Sequence, residues 1–114
     1  MTVITVLKKH GRLVGFEAKG HSGYAEAGED IVCAAVSAVM QTAVIGITDL
    51  VKCPAAFEMK DGELYLMLDR SVEDPEWQQA ELILGTMRLG LRSIQQEYSD
   101  YLKLIEREVQ HVQD

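Results

Sequence analysis

His21, Asp30 and Cys33 fall within one short run, Gly20-His21-Ser22-Gly23-Tyr24-Ala25-Glu26-Ala27-Gly28-Glu29-Asp30-Ile31-Val32-Cys33-Ala34-Ala35. A thiol attacks a carbonyl only as thiolate, and a helix N-terminus beside an imidazole is one of the few settings that favour thiolate near neutrality. In that chemistry Cys33 is the nucleophile. His21 takes the thiol proton and later returns one to the leaving amine, a task suited to a group titrating near neutral pH. N–H groups of the first helical turn, that of Cys33 included, are candidates to stabilise the developing oxyanion. The arrangement calls for no metal and no cofactor.

Each of these residues also has a plainer reading. A cysteine in an alanine-rich helix is usually a small core residue; what sets Cys33 apart is its company. Asp30 is either an N-cap or the group that orients His21. Ser37 lies four residues beyond Cys33, on the same helix face, where its hydroxyl either approaches the thiol or bonds back to a helical carbonyl. Gly20, Ser22, Gly23, Tyr24 and Gly28 form a candidate substrate loop, small enough in its residues to act as a mobile lid. His10 belongs to a hairpin turn and His111 to a polar tail, both expected in solvent. His21, Cys33 and Cys53 lack the short paired spacing of metal sites, and no Gly-Lys-Ser/Thr ending makes the glycine loop a phosphate cradle.

The elements that must position these residues follow from periodicity. Thr2 to Leu7 and Leu13 to Ala18 flank His10-Gly11 and read as a β-hairpin whose second strand ends at Gly20-His21. Asp30 caps a helix expected over Ile31 to Val51, apolar nearly all round, with Cys53-Pro54 as its stop. Ala55 to Met59 and Glu63 to Leu68 make a second hairpin about Lys60-Asp61-Gly62. Asp74-Pro75 then opens a helix with Asp74 as cap. Trp77, Ala80, Leu84, Met87, Leu91, Ile94 and Tyr98 form its apolar stripe, Trp77 being read as core. Residues 101–109 fit a strand or a continuation of that helix; continuation to Gln113 would give a rod of about 58 Å at 1.5 Å per residue, so the strand is favoured. The fold class is α+β, a small two-layer sandwich in the order ββαββαβ with an antiparallel or mixed sheet.

Composition sets limits on partners. The 114 residues suffice for one domain, 1–114, with a core that needs neither disulfide nor metal. A formal net charge of −7 argues against direct nucleic-acid binding, which needs a basic surface. The apolar run Ile31 to Ile47 falls short of the roughly 20 residues of a membrane span, so no membrane association is expected. The N-terminal residues lack a signal-peptide pattern, which leads to an expectation of cytoplasmic residence with reduced thiols.

Gly-His-Ser-Gly-Tyr-Ala leading into Gly-x-Asp-Ile-Val-Cys-Ala-Ala-Val-Ser closely resembles the ribosomal-processing cysteine proteases, the Prp family, most densely from Gly20 to Ser37. The resemblance implies a catalytic dyad of His21 and Cys33, with the family's aspartate and serine at Asp30 and Ser37. It also implies a homodimer with a mobile loop over the active site. The implied substrate is a large-subunit ribosomal protein of bacteria, relieved of a short apolar, aromatic-ended N-terminal extension. Two other classes remain to be weighed: a non-catalytic dimeric module docking on ribosomal components, with Cys33 in the core, and a redox switch joining Cys33 to Cys53.

Overall fold

The computed structural model describes residues 1–26 and 28–110, so Ala27 of the glycine loop and His111 of the tail lie outside the described residues. Strands β1 (Thr2–Lys9) and β2 (Arg12–Lys19) precede helix α1 (Ile31–Ile45), whose axis continues as a π-helical turn over Gly46–Leu50. Strands β3 (Ala55–Lys60) and β4 (Glu63–Leu68), helix α2 (Asp74–Glu97) and strand β5 (Leu102–Glu108) complete the order ββαββαβ. One five-stranded mixed sheet runs β3-β4-β2-β1-β5. Among the described residues β1 pairs with β5 in parallel and the other neighbours are antiparallel.

Alternation decides which face of the sheet meets the helices. Ile4, Val6, Phe16, Ala18, Leu64, Leu66, Leu68 and Leu102 join Val32, Val36, Met40 and Val44 of α1 and Ala80, Leu84, Met87 and Leu91 of α2 in one core. Leu7, Val14 and Met67 form a small second cluster with Tyr65, Trp77 and Val109 packed against it. Trp77 is half-buried rather than enclosed: its indole N–H donates to the Leu13 carbonyl at 2.8 Å and the Arg12 guanidinium lies 3.8 Å over its ring. Gly15 is required where β2 meets β4, since a Cβ there would come within 2.1 Å of the Leu66 carbonyl oxygen.

Several expectations change. The helix expected over Ile31 to Val51 loses its α geometry at Gly46, where hydrogen bonding shifts to the wider π pattern, as in Val51 N–H to Gly46 O. With that turn it spans Ile31–Leu50, which is long and apolar enough by length and composition to cross a membrane, so the length argument against a span fails. Val32, Val36, Met40, Ala43, Val44 and Ile47 are buried in the domain while Ile31, Ile45 and Leu50 are exposed, so this apolar helix is covered on one side rather than nearly all round. Asp74 does not cap α2; Glu73 holds the cap position, while the Asp74 carboxylate accepts from Arg12 at 2.7 Å and Gln78 at 2.7 Å. Finally, the α2 stripe is buried over a shorter stretch than expected: Ala80, Leu84, Met87 and Leu91 lie in the core, while Trp77, Ile94 and Tyr98 are only partly buried.

Candidate active site

The end of β2 carries the histidine to its place. Gly20 takes φ +89°, and a Cβ on it would lie 2.7 Å from the Met1 carbonyl oxygen, so only glycine fits. Its N–H donates to the Gly62 carbonyl at 2.8 Å, tying the strand end to the β3–β4 turn. His21 therefore stands over that turn, with Nε2 at 3.8 Å from an Asp61 carboxylate oxygen and 3.2 Å from where a Cβ on Gly62 would project. Asp61 is 98% exposed, so solvent screens this pair heavily.

Asp30 resolves in favour of the cap. One carboxylate oxygen accepts the Cys33 N–H at 2.9 Å; the other accepts the Ser22 hydroxyl at 2.5 Å and the Ala25 N–H at 3.5 Å. Among the described residues Asp30 makes no bond to His21, and the acid nearest the imidazole is Asp61. Burial works against ionisation of Asp30, but the hydrogen bonds from Ser22, Cys33 and Ala25 outweigh it and lower its pKa to about 2 from 3.8. Because the folded value is depressed, this support for the helix start is complete above the ordinary carboxylate range and is lost only as pH falls from near 3.8 through about 2.

Cys33 is half-exposed at the capped start of α1, and the Ser22 N–H donates to its sulfur at 3.2 Å. Its own N–H is committed to Asp30, so the first-turn donor expected to meet an oxyanion is already occupied. Cys33 and His21 line the same cleft of about 250 Å³, floored by Ala18, Val36, Met40 and Leu64 and rimmed by Gln41 and Met59. The imidazole and the thiol make no hydrogen bond to one another in this state; unliganded sites commonly hold such pairs loosely. Ser37 also lines the cleft, but its hydroxyl accepts from Gln41 Nε2 at 2.6 Å rather than from the thiol.

The candidate substrate loop divides. Gly20 lines the cleft with His21; Ser22 is buried beneath it on Asp30; Gly23 and Gly28 are exposed turn residues with φ +76° and +89°. Tyr24 turns away from the cleft and sets its ring against Tyr98 at 5.8 Å and Tyr101 at 5.2 Å, both edge-on. That aromatic anchor ties the loop, expected to be a mobile lid, to the junction of α2 and β5. Asp61, Gly62 and Met59 were missed, read only as turn and strand. The β2–β4 register, Ala18 with Leu64 and Lys19 with Glu63, brings them to His21.

Both rival classes lose their geometry here. Cys33 faces a cleft rather than the core. Cys53 is buried beyond the far end of the helical run, roughly 25 Å from Cys33 at 1.5 Å per residue, against the 4.4–6.8 Å between α-carbons that a disulfide needs. Among the described residues no group of three or more His, Cys, Asp or Glu side chains could hold a metal ion.

Residues 1–103 match the family model described as cysteine protease Prp. The chain belongs to the Prp family of cysteine proteases. It is 30% identical over 107 residues to the ribosomal processing cysteine protease Prp of Bacillus subtilis, and 33% identical over 107 residues to that of Staphylococcus aureus, covering 91% of this chain and 96% of each relative. The fold is similar to that of the S. aureus ribosomal processing protease Prp solved with a covalently linked product peptide, with a TM-score of 0.82 at 28% identity over 94% of this chain and 100% of that one. A second S. aureus structure, holding a substrate peptide, aligns with a TM-score of 0.77 at 27% identity, again over 94% of this chain and 100% of the other. The chain is thus a cysteine protease with an α+β fold.

Proposed function

We propose that this protease removes a short apolar, aromatic-ended N-terminal extension from a bacterial large-subunit ribosomal protein, using Cys33 as nucleophile and His21 as base, in the cytoplasm, where thiols stay reduced. The observation that carries this reading is the shared cleft, which sets Cys33, at a capped helix start, and His21 above an apolar floor of Ala18, Val36, Met40 and Leu64. Such a floor suits apolar and aromatic side chains, and methionine adapts to ring edges. The names of the relatives and the peptides bound to the S. aureus protein support the same substrate class.

His21 takes the Cys33 proton, the sulfur adds to the peptide carbonyl, and the amine departs with a proton from His21. Water then hydrolyses the thioester with His21 again as base. Asp30 keeps the start of α1 and the Ser22 segment in register, and Gln41 holds the Ser37 hydroxyl at the cleft wall. A ribosomal protein bearing the extension, incubated with the enzyme, is expected to give two products by mass spectrometry with cleavage at the aromatic end. Replacing those aromatic residues by aspartate is expected to lower kcat/KM by about 100-fold, since a charge must then lie on an apolar floor. Cleavage insensitive to that change would overturn the substrate assignment.

A homodimer is part of the same reading. Between α1 and α2 lies an apolar groove of about 600 Å³ lined by Val39, Ala43, Leu50, Leu82, Ile83 and Met87. Leu50 is 80% and Leu82 73% exposed beside it, an apolar surface that a second copy would cover. Sedimentation at micromolar concentration is expected to give a dimer, and Leu82→Glu a monomer with its helix content intact. A monomeric wild type would remove this part of the proposal.

A further inference from the structure

Resting on the assignment of Cys33 as nucleophile, we propose that the main-chain N–H of Ser22 is the catalytic oxyanion donor, and that the Ser22 hydroxyl, seated on Asp30, holds it on target. Of the first-turn N–H groups expected from the sequence, that of Cys33 itself is spent at 2.9 Å on the Asp30 carboxylate. The N–H that reaches the reacting atom comes from the histidine loop instead, at 3.2 Å from the sulfur. It also sits one peptide unit beyond the base.

The donor is held from several sides. Ser22 is only 3% exposed; its hydroxyl donates to Asp30 at 2.5 Å and accepts the Tyr24 N–H at 3.2 Å. The same carboxylate that caps the nucleophile's helix therefore grips the segment carrying the base, so the spacing of loop and helix is set by one side chain. Ionisation of Asp30 down to a pH of about 2 keeps that grip at working pH.

The chemistry makes such a donor matter most in the transition state. A sulfur electron pair forms the S–C bond, the carbonyl π pair moves onto oxygen, and negative charge passes from sulfur to that oxygen. An N–H aimed at sulfur needs only a small reorientation to meet the oxyanion, one carbon further out. A thiolate spreads its charge over a large, soft sulfur and an oxyanion concentrates it on a small oxygen, so the bond strengthens as the reaction proceeds. When the C–N bond breaks, the pair returns to re-form the carbonyl and the amine leaves with its proton from His21. Interactions of this kind raise kcat with little effect on KM.

The test is a full-length chain in which the residue 22 N–H is replaced by an ester oxygen, assembled from synthetic segments joined at Cys33, with the hydroxyl retained. A kcat for peptide cleavage lower by about 100-fold is expected, with KM within about twofold. Alkylation of Cys33 by iodoacetamide at high pH should keep its wild-type rate, because that displacement forms no oxyanion. Ser22→Ala, which keeps the N–H but frees it from Asp30, is expected to lose about 10-fold in kcat with unchanged alkylation, and decides the matter if the ester chain does not fold. A wild-type kcat in the folded ester chain, or alkylation falling in step with cleavage, overturns the proposal. Either result would leave the nucleophile assignment standing, since that falls only if Cys33→Ala still cleaves.

Discussion

Cys33→Ala is expected to lose peptide cleavage by about 10⁴-fold or more while unfolding at the wild-type temperature within a few degrees. The large loss follows from removing the atom that forms the covalent intermediate. The small structural cost follows from place and size: Cys33 is half-exposed at the mouth of a cleft, and alanine can still donate its N–H to Asp30. Iodoacetamide provides an independent reading on the intact enzyme. It should label Cys33 and spare Cys53, which is buried and whose thiol is pushed up first by that burial and then by the charge of Glu76. Wild-type cleavage by Cys33→Ala, in enzyme shown by mass to be free of parent protein, would remove the nucleophile assignment.

His21→Ala carries the second-largest effect, a fall of about 10²–10⁴-fold in kcat/KM, the range over which a positioned general base acts. Thermal stability should change by less than about 0.5 kcal/mol, because the imidazole is mostly exposed and the Asp61 carboxylate beside it is exposed as well. The two roles given to His21 predict more than a slower enzyme. Removing the base leaves a space above Gly62 into which free imidazole can diffuse, so millimolar imidazole is expected to restore part of the rate in this variant and none in Cys33→Ala. An absence of rescue, together with a pH–rate profile matching the wild type, would show that His21 is not the base.

Sheet register matters to both results. His21 could be recognised as a candidate base from its glycine neighbours, yet the ground on which it stands comes from residues 61 and 62, far along the chain. Gly20 N–H to Gly62 O is the hydrogen bond that joins them. No local pattern announces it, because it exists only once β2 has paired with β4.

Much of the rest was legible in the residues because the signals are local. Alternating Val3-Ile4-Thr5-Val6 and Phe16, the His10-Gly11 turn with φ +53° and +76°, and Leu64, Leu66 and Leu68 specify strands and hairpins through period and turn chemistry. The apolar stripe of α2 specified its buried face, and Asp30, three residues before Cys33, fixed where α1 begins. These are properties of short segments, set by backbone sterics, side-chain alternation and hydrogen bonding over a few positions.

Tertiary structure alone decided the questions that depend on who meets whom. Asp30 could serve as cap or as orienter of His21 until the chain folded and gave its second oxygen to Ser22. The Cys33 N–H was a free donor on paper and a committed one in the fold, where the N–H that reaches the sulfur is that of Ser22. Tyr24 was a loop residue until α2 and β5 brought Tyr98 and Tyr101 beside it. Asp74 was a cap on paper; in the fold its carboxylate accepts from Arg12 and Gln78, and Glu73 holds the cap position without a side-chain hydrogen bond. By itself the sequence determined the elements, the candidate dyad and the family; the partners of each polar group in the site waited on long-range pairing, because a hydrogen bond between distant residues has no period to betray it.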